Sequence, residues 1–218
     1  MRAPIPALAA LLTVLLGVSA CGDGGAAPAT PSAAGCRGAV VARADLDGDG
    51  TDAAVRLCGH RLVTRLGPVT TDLDVAGLRL RSAGATVVHR DGAADLVLLR
   101  SASVDGRWQP HLFGQSGRRL AEVVADGRPV LPAVTTRLGS APRTATCTPG
   151  GGIAVLSAEA HLPPGIVLAW DVTRTTYDVR AASAVRTGSV MVQEAAADPT
   201  LRKVMPHLFD GTLFADCD

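Results

Sequence analysis

The chain has 218 residues, of which 47% are apolar and only 3% aromatic. That suffices for one domain of ordinary size, with a core of Val, Leu, Ala and Ile. A net charge of +1 lacks the basic footprint that nucleic-acid binding requires, so no nucleic-acid partner is expected. Asp outnumbers Glu 17 to 3, and Gly (24) and Pro (14) are frequent. Asp favours turns and caps where Glu favours helix interiors, so many turns and few helices are predicted. Lys203 is the single lysine among 21 basic residues, an Arg excess that reads as the codon bias of a high-GC genome.

Arg2 gives a short positive start, and an apolar run follows over 7–18. A membrane span needs roughly 20 residues, so this run predicts a signal-peptide h-region instead. It ends in Val18-Ser19-Ala20-Cys21. Small residues before a cysteine at this place resemble the lipobox of bacterial, actinobacterial-like lipoproteins. The resemblance implies a signal peptide over 1–20 and a lipidated Cys21, which anchors the chain to the cell membrane on its extracytoplasmic side. Residues 22–35 are Gly, Ala, Pro, Ser and Thr with one Asp. Such a stretch buries too little apolar surface to fold, and as a flexible tether it reaches about 20 Å. The folded domain is therefore placed at 36–218.

Four cysteines remain: Cys36, Cys58, Cys147 and Cys217. An even number in an exported domain predicts two disulfides, with three possible connectivities. We favour Cys36–Cys58 and Cys147–Cys217, which by loop closure contribute about 3.5 and 4.5 kcal/mol. No pair has C-x-x-C spacing and no histidine stands at ligand spacing, which argues against zinc.

In chain order, apolar residues over 38–43 enter the acidic stretch Asp45-Leu46-Asp47-Gly48-Asp49-Gly50-Thr51-Asp52. Alternation predicts strands over 53–58 and 61–66, with Gly59-His60 turning between them. Further strands are predicted over 78–81, 86–89, 95–100, 108–113, 119–124, 144–147, 153–158, 166–172, 176–179, 184–187 and 190–193. Asp-Gly pairs at Asp91, Asp105, Asp126 and Asp210 suit turns with positive φ. Residues 129–142 read as a loop between two halves of one domain. Trp170 and Tyr177 are expected on adjacent strands as a cross-strand pair. One short C-terminal helix is predicted, capped by Asp198, with Leu201, Val204, Met205 and Leu208 on one face and Pro206 limiting its length. More than ten short strands with regular turn signals predict an all-β domain.

In the acidic stretch, carboxylates fall at positions 1, 3 and 5 and a glycine at 6. Alternate residues of a tight loop point inward, and two carboxylates 4 Å apart repel by about 4 kcal/mol at an effective dielectric near 20. Calcium, which takes 6 to 8 oxygens, fits that set. Position 12 is Arg56 and a strand follows, so this is not an EF-hand. The stretch resembles the D-x-D-G-D-G-x-x-D loop of FG-GAP and VCBS-type repeats. The resemblance implies an antiparallel, small or partial β-propeller, with two packed antiparallel sheets as the alternative. It also implies a calcium site at Asp45, Asp47 and Asp49, with Thr51 as a backbone donor. The fourth carboxylate of the pattern falls on Ala53, and Asp52, one place early, is expected to complete the site by a changed loop path. A fainter echo, Asp91-Gly92-Ala93-Ala94-Asp95, follows 46 residues on and marks a repeated unit.

Gly114-Gln115-Ser116-Gly117 resembles a serine-nucleophile context, but its place between two strands reads as a hairpin turn, and no G-x-S-x-G elbow exists. Glu122, Glu159 and Glu194 carry no mark of an acid–base pair. The expectation is thus a non-catalytic cell-surface module that binds an envelope protein or a glycan. An exported hydrolase with a dispersed site is the alternative.

Overall fold

The computed structural model describes residues 36–135, 141–161 and 168–217. The segments expected to be a signal peptide and a tether, and Cys21 between them, lie outside the described residues. The fold is all-β and antiparallel, a partial propeller-like stack closed by a short helix. The first sheet is a meander of β1 (Ala39–Ala44), β2 (Ala53–Cys58), β3 (Arg61–Leu66) and β4 (Val69–Asp74). The second contains β5 (Leu80–Arg90), β6 (Ala93–Ser101), β8 (Pro110–Ser116) and β9 (Arg119–Glu122), in that order. Between β6 and β8, β7 (Arg107–Trp108) pairs with β12 (Val134–Thr135).

The third sheet is built on β13 (Arg143–Thr148), β14 (Gly152–His161), β15 (Ala169–Arg180) and β16 (Ser183–Ala197). At its far edge β10 (Val124–Ala125) joins β16 in parallel through Val124 and Ser183, and β11 (Arg128–Pro129) completes it.

The sequence of β6 explains the layering. Residues Asp95-Leu96-Val97-Leu98-Leu99 are buried without interruption, the mark of a strand covered on both faces. Val97 and Leu99 face a core with Ala44, Leu46, Val55 and Leu62 of the first sheet and its loop. Leu96 and Leu98 face the opposite core with Ile153, Val155 and Val179 of the third. The second sheet is therefore the middle of three stacked layers, in place of the two packed sheets of the alternative reading. On the outer face of the third sheet, Ala158, Trp170 and Val172 meet Leu201 and Leu208.

Several predicted elements differ. β2 and β3 match their predicted bounds, but β4 was missed, because Thr70, Thr71, Asp72 and Asp74 make it polar and only Thr71 is buried. β5 is one strand where two were expected, interrupted by a register shift between Arg81 and Thr86 around Gly84 (φ +80°). β15 and β16 likewise run through predicted breaks, at Thr173-Arg174-Thr175 and Gly188-Ser189. Trp170 and Tyr177 therefore share one strand and are not a cross-strand pair. Trp170 lies across Ala160 and Ala196, and meets Phe209 edge-on at 6.1 Å.

The stretch read as an inter-half loop contributes Val130, Leu131 and Val134 to the core; its residues 136–140 lie outside the described ones. The helix α1 spans Asp198–Val204, and after Pro206 a separate turn, α2 (His207–Asp210), carries Leu208. Ala197, not Asp198, is the N-cap, and Val204 is 59% exposed and not on the buried face. Asp198 instead accepts from Trp170 Nε1 at 2.9 Å and from Arg202 Nε at 2.5 Å. Among the described residues no helix is long and apolar enough to cross a membrane.

Candidate calcium loop and its anchorage

The acidic stretch joins β1 to β2 at one end of the first sheet. Leu46 is fully buried in the core between the first two sheets, which pins the loop and leaves Asp47 and Asp49, which follow it, exposed. Gly48 (φ +72°) and Gly50 (φ +84°) supply the left-handed turns that bring the chain back into β2. As a result Asp45, Asp47 and Asp49 each bring a carboxylate oxygen within 4.8 Å of the others. Asp52, expected to complete the site, is not among the three carboxylates that converge.

The oxygens of Asp45 also organise the loop. Oδ1 accepts from the Asp49 N–H at 3.0 Å and Oδ2 from the Gly50 N–H at 2.9 Å, while Asp49 Oδ1 accepts from the Thr51 N–H at 2.7 Å. Each carboxylate oxygen retains further acceptor capacity. Three carboxylates at this spacing, held by their own backbone, fit a hard cation such as calcium. The ion would be held by Asp45, Asp47 and Asp49 with a backbone oxygen at Thr51, and would supply the positive charge that offsets their mutual repulsion. Asp47 makes no hydrogen bond among the described residues, so its carboxylate has no structural duty in the loop.

The echo at Asp91–Asp95 occupies the equivalent place in the second sheet, the turn from β5 into β6. Its last residue has become an anchor for the first loop. Asp95 Oδ2 accepts from the Asp45 N–H at 3.0 Å, and the Asp95 N–H donates to the Asp45 carbonyl at 2.8 Å. Asp95 is 8% exposed, and His89 Nδ1 lies 3.0 Å from its Oδ1. Sequence reasoning missed this link, although Asp95 was visible as the closing acid of the echo.

Arg90 was missed entirely. It is 7% exposed, and its guanidinium donates to three carbonyls: Ala94 (2.8 and 2.5 Å), Gly151 (2.8 Å) and Val179 (3.0 Å). Burial draws its pKa down, while the charges of Asp95 and Asp178 oppose that shift. Arg90 thereby ties the β5–β6 turn to the third sheet. Gly151 (φ +78°) completes the joint, because a Cβ there would meet the Ala93 Cβ at 2.6 Å.

Four histidines pair with carboxylates through Nδ1: His89 with Asp95, His111 with Glu122 at 2.7 Å, His161 with Asp171 at 2.9 Å, and His207 with Asp210 at 3.2 Å. Among the described residues no histidine side chain is hydrogen-bonded to a hydroxyl or a thiol, the contact through which a histidine base activates a serine or cysteine nucleophile. Ser116 ends β8 and pairs with Arg119 across a hairpin, as its sequence context predicts.

Both disulfides form as favoured. Cys36–Cys58 closes the end of the β1–β2 hairpin opposite the acidic loop, with Cα atoms 6.1 Å apart. Cys147–Cys217 ties the C-terminus to β13, with Cα atoms 5.3 Å apart. No family model, curated protein or solved structure matches the chain.

Proposed function

We propose that the chain is a cell-surface lipoprotein, anchored through Cys21, whose β-domain binds an envelope protein or glycan without catalysing a reaction. Calcium at Asp45, Asp47 and Asp49 stiffens the edge of the first sheet. The observation that carries this reading is the convergence of those carboxylates within 4.8 Å on a loop bonded in both directions to Asp95 of the next sheet. An ion there would brace two layers at once.

Kinship with FG-GAP and VCBS-type repeats is supported by position. The acidic loop joins the first and second strands of one four-stranded meander, and the Asp91-Gly92 turn joins the first and second strands of the next. The extracytoplasmic address is supported by the lipobox residues and by two disulfides, which a reducing cytosol would not sustain.

Fractionation tests the anchor: the full chain stays with the membrane and Cys21→Ala appears in the medium. Retention of Cys21→Ala at the membrane contradicts the lipobox reading. For binding, the released domain is incubated with purified envelope polysaccharide and with envelope proteins. Saturable retention of intact partner supports the module, whereas conversion of the partner to smaller products makes the domain a hydrolase.

A further inference from the structure

The inner face of the third sheet carries a groove that the loop and its calcium do not use. Its cavity is about 510 Å³ and lies between β14–β16 and the β10–β11 hairpin, within the size range of small-ligand sites. Ser157, two places beyond the core residue Val155 on β14, shares that residue's face. Thr175 stands opposite Val155, and Tyr177 stands opposite Arg186 on β16. From the hairpin side come Asp126 and Arg128.

Arg128 and Arg186 are exposed, and neither has an ion-pair or hydrogen-bond partner among the described residues. Two guanidinium groups against the single carboxylate of Asp126 leave the groove with a net positive charge. Among the described residues Thr175 Oγ1 bonds to Ser189 Oγ, at 3.2 Å, and no partner holds the Ser157 or Tyr177 hydroxyl.

We propose that this groove binds an acidic saccharide, a uronic acid unit of an envelope glycan. The planar fork of arginine matches a carboxylate through two parallel hydrogen bonds. Hydroxyls both donate and accept, which suits a sugar's own hydroxyls, whereas a bare inorganic anion would use donors alone. Pro129 and Pro132 flank the hairpin side and restrict its backbone, so little ordering entropy is lost on binding. The proposal deepens the glycan branch of the binding reading and rests on it.

The chain contains one tyrosine, so ring-labelled tyrosine gives one set of resonances, located in the groove. The labelled full chain is titrated with an oligogalacturonate, a neutral maltooligosaccharide of equal length, and inorganic phosphate. The expected result is a saturable shift with the oligogalacturonate and a Kd at least about tenfold weaker for the other two. The double variant Arg128→Gln, Arg186→Gln weakens the oligogalacturonate by about tenfold or more. Both side chains are exposed, so its melting midpoint stays at the wild-type value.

No saturable shift, equal binding of the neutral chain or of phosphate, or a double variant that binds like wild type overturns the proposal. Retention of an envelope protein by a domain that gives no tyrosine shift would remove the saccharide site and leave the binding module standing.

Discussion

Replacing Arg90 tests the joint between the second and third sheets. Arg90→Met keeps an unbranched side chain of similar reach but removes every donor. Three carbonyls, at Ala94, Gly151 and Val179, lose a charged partner in a site where the side chain is 7% exposed. A buried acceptor left unsatisfied costs about 1–3 kcal/mol; taken near the low end of that range, the three together cost about 4 kcal/mol. Against this, a methionine needs no charged-group desolvation and gains apolar burial, which returns about 1 kcal/mol. The net expectation is a loss of about 3 kcal/mol, a large fraction of a typical stability of 5–15 kcal/mol. For a domain of this size that lowers Tm by roughly 6–12 °C. Chemical denaturation followed by circular dichroism measures it, with the disulfides intact in both proteins. Arg90→Lys falls between, because one ammonium cannot serve three separated carbonyls. A loss below about 1 kcal/mol for Arg90→Met would refute the assignment of the joint to this guanidinium.

Other outcomes follow from the same contacts. Replacing Cys147 and Cys217 together by Ser removes about 2–5 kcal/mol and raises hydrogen exchange in β13 and around Phe214, whose N–H donates to the Ala145 carbonyl at 2.6 Å; an unchanged unfolding midpoint would contradict this. Arg202 and Trp170, donating to Asp198, hold its carboxyl below the ordinary range against the opposing effect of burial. Its contribution to stability is therefore complete above the unfolded value near 4 and is lost as pH falls through the lowered folded value. The Trp170 indole N–H resonance should accordingly move only below about pH 4, and a midpoint above that value would reverse the sign. Asp171, held low by the Ala195 N–H and by His161, follows the same course, so its own carboxyl resonance should titrate below the ordinary aspartate value, and a midpoint at or above that value would contradict the assignment.

The parts of the fold set by local pattern were legible in the sequence. β2 and β3 are short apolar segments separated by a turn at Gly59, and the uninterrupted apolar run of β6 marks a strand with two buried faces. The loop was legible because its spacing carries its chemistry. Both disulfides could be favoured because each joins segments that strand order brings together. What failed was continuity and long-range pairing. β15 and β16 carry Thr, Arg and Ser through the middle, which looks like a break until the paired register shows one long ribbon. β4 carries too few apolar residues to signal itself. Arg90, Asp95 and Glu122 have partners 61 and 89, 50, and 11 residues away, and no local pattern encodes such a meeting. The groove of Arg128 and Arg186 escaped for the same reason, since two separate turns of the chain build it.

The calcium loop is tested most directly by the melting midpoint of wild type and Asp47→Asn in EDTA and in 10 mM calcium. Asp47 bears no hydrogen bond of the loop, so its replacement removes an ion ligand and little else. With a Kd near 10⁻⁴ to 10⁻³ M, as in extracellular modules, binding linkage gives about 1.4–2.7 kcal/mol. The account predicts a rise of roughly 3–10 °C for wild type, with most of it lost in Asp47→Asn. Equal midpoints for wild type in EDTA and calcium, or the same rise in both proteins, would contradict it.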